Sequence, residues 1–239
     1  MKNLLLLTFI CLTANVLSAQ FGISSKYQSN TFKNWEAPYA SDLATIDPVD
    51  FQLMENSIEF GVNYWFRLKN KRIEFLPEVT YGNVTETLIA TSTDDSYVPT
   101  SLVTIGINSN IQIYPLDFAG DCNCPTFGKD GSILKKGFYW LINPGIAFHD
   151  LTLSTASDDF NVKSTSFRMG LGAGLDIGIH KYITLSPFIM YDKDFRIASE
   201  VISLVGNFDY PNASRNTWNF GLRILFRPDY AKQNRGLYR

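Results

Sequence analysis

Apolar and polar residues alternate along most of this chain, and a period of two is the signature of β-strands with one face in apolar surroundings. Ile58, Phe60, Val62, Tyr64, Phe66 and Leu68 are apolar or aromatic, whereas Glu59, Gly61, Asn63, Trp65 and Arg67 between them are mostly polar or small. Phe167, Met169, Leu171, Ala173 and Leu175 alternate in the same way with Arg168, Gly170, Gly172, Gly174 and Asp176. The pattern returns over 73–82, 103–114, 138–149, 183–192 and 217–226, and more weakly over 21–28. That predicts eight strands, an even number, each near the roughly 9–11 residues that a tilted strand needs to cross a bilayer. Closing such a sheet on itself removes edges that would expose unpaired backbone.

The expected connections alternate too. Segments 30–57, 83–100, 150–165 and 193–216 read as long polar loops, whereas 69–71 and 180–182 read as tight turns. Long outer loops and short periplasmic turns are the rule for outer-membrane barrels. The exception is a periplasmic insert at 115–136. Under this orientation Tyr81, Phe148, Phe167, Tyr191 and Trp218 fall at the outer rim of the apolar face. Phe66, Phe75, Phe138 and Phe226 fall at the inner rim. Aromatic rings at both rims suit the two membrane–water interfaces.

The first nineteen residues stand apart. Lys2 precedes an apolar run, and Leu17-Ser18-Ala19 before Gln20 has the form of a signal-peptidase site. The expected organisation is therefore a signal peptide at 1–19 cleaved near Ala19-Gln20, a barrel at 20–227, and a periplasmic tail at 228–239. The balance of 21 Lys+Arg against 23 Asp+Glu excludes a strongly basic nucleic-acid surface. A secreted β-sandwich or lipocalin would also show one apolar face per strand. Its polar face would be an exterior rich in charge, yet here that face carries many glycines and few lysines, which suits a barrel interior.

The segment Asn219-Phe220-Gly221-Leu222-Arg223-Ile224-Leu225-Phe226 is similar to the C-terminal signal read by the barrel-insertion machinery, with Asn219, Gly221, Ile224 and Phe226 at its defining positions. With the strand pattern, it makes the chain resemble the small outer-membrane barrels of the OmpA, OmpX and OmpW type. That resemblance implies an all-β fold, an eight-stranded antiparallel up-and-down transmembrane β-barrel. It also implies outer-membrane lipid as the surroundings.

The polar faces carry Glu59, Arg67, Glu74, Glu78, Arg168, Asp176 and Arg223, and a charge inside a narrow lumen must be paired or hydrated. An interior ion-pair network is expected, rather than a wide porin-like channel, because eight strands leave room for little more than side chains. The glycines of the 170–174 strip lack the G-x-G-x-x-G spacing of a phosphate loop. They read as a strip of inward glycines that marks a close approach, with Tyr139, Phe188 and Met190 of neighbouring strands expected to lie across it. Cys122 and Cys124 lie in the insert, where a local disulfide, free thiols, a bridge to a partner and a metal ligand all remain open. His149 and His180 fall at opposite ends of the barrel, so they cannot share a site. No nucleophile, cofactor or metal set stands out, and no enzyme is expected. The leading function is a structural or interaction role in the cell envelope. The alternatives are a barrel subunit of a larger envelope or secretion complex with a periplasmic or envelope protein partner, and a narrow conduit for small apolar molecules.

Overall fold

The structure, a computed structural model, describes residues 20–33, 54–68, 71–92, 94–118, 133–154, 159–180, 182–195 and 214–226. The expected signal peptide 1–19, Cys122, Cys124 and the expected tail 228–239 lie outside the described residues.

The strands are β1 (Phe21–Lys33), β2 (Asn56–Tyr64), β3 (Phe66–Arg67), β4 (Ile73–Ser92), β5 (Asp94–Ile113), β6 (Phe138–Ser154), β7 (Asp159–Leu175), β8 (Ile177–His180), β9 (Ile183–Phe195) and β10 (Ser214–Phe226). Trp65 interrupts one stave between β2 and β3, and Asp176 interrupts another between β7 and β8, so ten segments make eight staves. Each stave pairs antiparallel with its neighbour in sequence, and β10 pairs with both β9 and β1. The sheet is a closed, eight-stranded, up-and-down barrel.

Its stagger follows from the register. One row of partners runs Gly22, Asn63, Glu78, Asn108, Gly145, Arg168, Asp194, Arg215 and returns to β1 at Phe32, ten residues beyond its start. A shear of ten over eight staves forces the strands to tilt and keeps the lumen narrow. Residues distant in sequence are thereby brought to one height.

The segment 83–100, expected to be a loop, is strand instead. β4 and β5 pair without a break from Ile73↔Ile113 to Ser92↔Asp94, a hairpin that runs well past the aromatic rim. The residues concerned are rich in β-branched Thr, Val and Ile, which favour extended backbone. Apolar alternation fades over these residues, and the ladder is carried by backbone pairing and β-propensity instead. β6 and β7 likewise extend the third hairpin to Ser154↔Asp159.

The faces segregate by parity. Ile58, Phe60, Val62, Ile105, Ile107, Leu171, Phe220 and Leu222 are exposed on the outside. Lys26, Glu59, Glu78, Arg168, Asp194 and Arg215 are buried within. This is the reverse of a soluble protein, and it meets the demand of a lipid surrounding.

An apolar cluster of Tyr114, Tyr139, Leu141, Phe188 and Met190 fills the lumen toward the end that carries both barrel termini. Glycines admit it. A Cβ at Gly174 would collide with the Tyr139 ring, and one at Gly172 with the β9 backbone at Ile189 and Met190. Phe188 was expected over the same strip, but its ring lies against Gly221 of β10, because β9 faces both β7 and β10 across the closure.

Candidate functional site

Six side chains from six strands form one chain of alternating charge through the lumen. Arg215 of β10 donates to Asp194 of β9, through Nε at 3.0 Å and more closely through Nη2. Arg168 of β7 donates to the same carboxylate, Nε to Oδ1 2.8 Å and Nη2 to Oδ2 3.3 Å. Its Nη1 reaches Oε2 of Glu59 on β2 at 3.2 Å. Lys26 of β1 then joins Glu59 at 3.0 Å to Glu78 of β4 at 2.9 Å. Glu78 accepts further bonds from Ser24 Oγ at 2.5 Å and Asn110 Nδ2 at 3.0 Å.

All six groups are buried, and their charges balance three against three. A lone ion in such a place would carry a penalty of several kcal/mol. Alternation of sign offsets that penalty, and the neutral donors take up the remaining lone pairs. Asp192, also buried, accepts from Asn219 Nδ2 at 3.0 Å. The result is a polar strut.

The expected network residues divide. Glu59, Glu78 and Arg168 enter this chain. Glu74 and Asp176 lie nearer the termini, where Tyr114 Oη stands 3.1 Å from Glu74 Oε2 and 2.7 Å from Asp176 Oδ2. A phenol holds one proton and can donate to only one acceptor at a time. Trp65 Nε1 also donates to Glu74 Oε2 at 2.5 Å. Arg223 is fully buried with its guanidinium 4.9 Å over the Phe188 ring, and its three nitrogens have no hydrogen-bond partner among the described residues. The Arg67 backbone pairs with Glu74, and its side chain lies outside the described residues.

Sequence reasoning left out Lys26, Asp192, Asp194 and Arg215. The first two have inward parity inside expected strands. The other two turn inward only because β9 runs on to Phe195 and β10 begins at Ser214.

Asn219 faces the lumen and bonds Gln28 Nε2 through Oδ1 at 3.0 Å, Gly221 accommodates Phe188, and Ile224 and Phe226 are exposed on the outside. The Phe226 ring packs 5.4 Å from that of Phe21.

His149 is buried near the opposite end, Nδ1 3.0 Å from Thr104 Oγ1 and Nε2 2.8 Å from Ser166 Oγ. The Ser166 contact has the distance of a nucleophile–base pair. The group that orients the imidazole is a hydroxyl rather than a carboxylate, and both hydroxyl residues are buried. The arrangement ties β5, β6 and β7 together. His180 is exposed on β8, distant along the barrel. Among the described residues no group of three His, Cys, Asp or Glu side chains could hold a metal ion.

No family model matches the sequence, and no curated protein matches it. Among solved structures the chain is similar to Neisserial surface protein A, at 10% identity over 85% of this chain and 96% of that one, with a TM-score of 0.42. Ail, the attachment invasion locus protein of Yersinia pestis, is 12% identical over 87% of this chain and 99% of that one, with a TM-score of 0.45. A major outer membrane protein from Thermus thermophilus is 9% identical over 86% of this chain and 99% of that one, with a TM-score of 0.44. The likeness is one of general barrel form.

Proposed function

We propose that this protein is a non-enzymatic barrel of a Gram-negative outer membrane, serving the cell envelope as a structural or interaction element rather than as an open pore. One observation carries the reading. The exterior is apolar through its middle, while the lumen is crossed by the chain Arg215–Asp194–Arg168–Glu59–Lys26–Glu78. Lipid suits such an exterior, and an eight-stranded lumen crossed by the strut and the aromatic cluster favours a closed interior over a wide channel. Cleavage of the leader after Ala19 and recognition of Asn219, Gly221, Ile224 and Phe226 by the insertion machinery belong to the same reading. The barrel termini then face the periplasm and the β4–β5 and β6–β7 hairpins face outward.

Cell fractionation tests it. The processed chain is expected in the outer membrane, released only by detergent, and without porin-sized conductance in planar bilayers. Recovery as a soluble periplasmic protein overturns the membrane reading, and a large stable channel overturns the closed lumen.

A second reading, a subunit of a larger envelope or secretion complex, is favoured by the insert. Leu116, Phe118, Ile133 and Leu134 are exposed beside a 3-10 turn, Pro115–Asp117, and a short helix, Ile133–Gly137, at the terminal end of the barrel. Closure entropy alone tolerates such length, but exposed apolar side chains suit a periplasmic partner. Replacing 116–134 by a short glycine-containing turn is expected to leave insertion intact. If co-purifying protein and cellular phenotype are also unchanged, this second reading falls.

A further inference from the structure

Every pairing in the barrel but one joins staves that follow each other along the chain. The exception is the seam between β1 and β10, which no turn holds in place. Apolar alternation excludes a slip of one residue at the seam, since that would turn every side chain of β1 to the wrong face. It is blind to a slip of two. Ser25 faces Leu222 across the seam, and a slip of two sets it against Phe220 or Ile224, both exposed on the same outer face. Such a slip changes the shear from ten to eight or twelve, and with it the tilt and width of the barrel. An apolar surrounding does not distinguish these registers, so the discrimination falls to the lumen.

The lumen face suits one register. Gln28 Nε2 donates to Asn219 Oδ1 at 3.0 Å and Thr217 Oγ1 donates to Asn30 Oδ1 at 2.9 Å, both between direct partners across the seam. Ser57 Oγ of β2 continues the first row, donating to Gln28 Oε1 at 2.9 Å. A slip toward a shear of twelve sets Lys26 opposite Arg223 in place of Gly221, and like charges directly opposite are destabilising. A slip toward eight sets Lys26 opposite Asn219, and Asn30 opposite Arg215. The charged chain spans the same seam. Lys26, Glu59 and Glu78 belong to staves on one side of it, and Arg168, Asp194 and Arg215 to staves on the other. The bond of Arg168 Nη1 to Glu59 Oε2, 3.2 Å, links the two sides across the lumen. A slip of two carries β1 about 6–7 Å along β10, and the altered tilt and width displace facing side chains as well. Buried charges that lose their partners in a wrong register are costly, and a single buried polar side chain fixes register in coiled coils by the same means.

We propose that this polar interior is a register lock, whose charged chain and seam bonds select a shear of ten at closure from among even registers that the exterior accepts alike.

The test reads the seam directly. The full chain, its own cysteines replaced by serine, is inserted into lipid vesicles with one engineered cysteine pair at the seam and then oxidised. Ser25→Cys with Leu222→Cys reports the native register, Ser25→Cys with Phe220→Cys a shear of eight, and Ser25→Cys with Ile224→Cys a shear of twelve. Direct partners lie within reach of a disulfide, whereas diagonal neighbours, about 7–8 Å apart, do not. Only the inserted fraction, recognised by heat-modifiable migration, is counted. With the chain of charges intact, the native disulfide is expected to exceed each slipped one at least about tenfold. Lys26→Met, Glu59→Gln, Glu78→Gln, Arg168→Met, Asp194→Asn and Arg215→Met together are expected to bring a slipped disulfide within about threefold of the native one. Glu59→Gln with Arg168→Gln, and Lys26→Met alone, are expected to move the ratio the same way by less, and they decide the matter should the full replacement not insert. Comparable slipped disulfides with the charges intact overturn the proposal. So does a neutralised barrel that inserts, is less stable and still forms the native disulfide alone, because the charges then stabilise the barrel without choosing its register.

Discussion

Arg168 of β7 holds Glu59 of β2 across the full width of the lumen, Nη1 to Oε2 3.2 Å. Four strand pairings separate β2 from β7 in either direction round the sheet, so this bond is a diameter. The same guanidinium holds Asp194 with two of its other nitrogens. Arg168→Met therefore leaves two buried carboxylates each with a single cationic partner. The expected loss is about 3–5 kcal/mol, the usual effect of breaking a buried pair from one side. Equilibrium urea unfolding in lipid vesicles measures it. An unchanged midpoint would mean that the lumen is wet enough to screen these charges.

The assignment of faces is tested by charge on the outside. Ile107→Arg and Leu171→Arg place a cation on the exposed apolar band and are expected to destabilise the inserted barrel by about 2–4 kcal/mol each. Asn108→Ala on the lumen face removes a single long hydrogen bond to Thr80 at 3.4 Å and is expected to be mild. If the lumen change proves the more damaging, the barrel is inside out.

The close approach of Phe188 to Gly221 makes a coupled pair. Gly221→Ala drives a methyl into the Phe188 ring and is expected to cost about 1–3 kcal/mol through overpacking. Adding Phe188→Leu opens the space, so the double variant is expected to be more stable than the two single losses added together. Strict additivity in the double-mutant cycle would show that the ring does not rest there.

Ser166 sits 2.8 Å from His149 Nε2, so its inertness can be checked directly. A fluorophosphonate probe is expected to leave the folded barrel unlabelled, because the hydroxyl is buried. Ser166→Ala is expected to lower stability by about 0.5–1.5 kcal/mol, one hydrogen bond's net worth. A stoichiometric adduct at Ser166 would reopen the question of catalysis.

The candidate lumen site was partly legible. Glu59, Glu78 and Arg168 reveal themselves because each is a charge in the polar register of a strongly alternating strand, and the parity of one neighbour fixes the side on which it lies. Lys26 has the same parity in β1 but sits in the weakest alternation of the chain, Phe21, Ile23, Ser25 and Tyr27, where Ser25 breaks the apolar row. Asp194 and Arg215 lie beyond the last apolar residues of the expected strands. Only the pairing Asp194↔Arg215 carries their parity forward.

What the sequence determined by itself is the side of each residue within the strongly alternating segments and, from the number of such segments, the even number of staves. The side is a local property, since a strand turns successive side chains to opposite faces whatever its neighbours do, and the count follows from the number of alternating segments. Which charges meet was decided by tertiary structure. Lys26 and Glu78 touch across 52 positions, and Glu59 and Arg168 across 109, because the stagger of the closed sheet sets the heights at which distant strands present their side chains. The reach of the β4–β5 hairpin was decided there too. Beyond Tyr81 the alternating signal ends, while backbone hydrogen bonds carry the ladder on to Ser92 and Asp94.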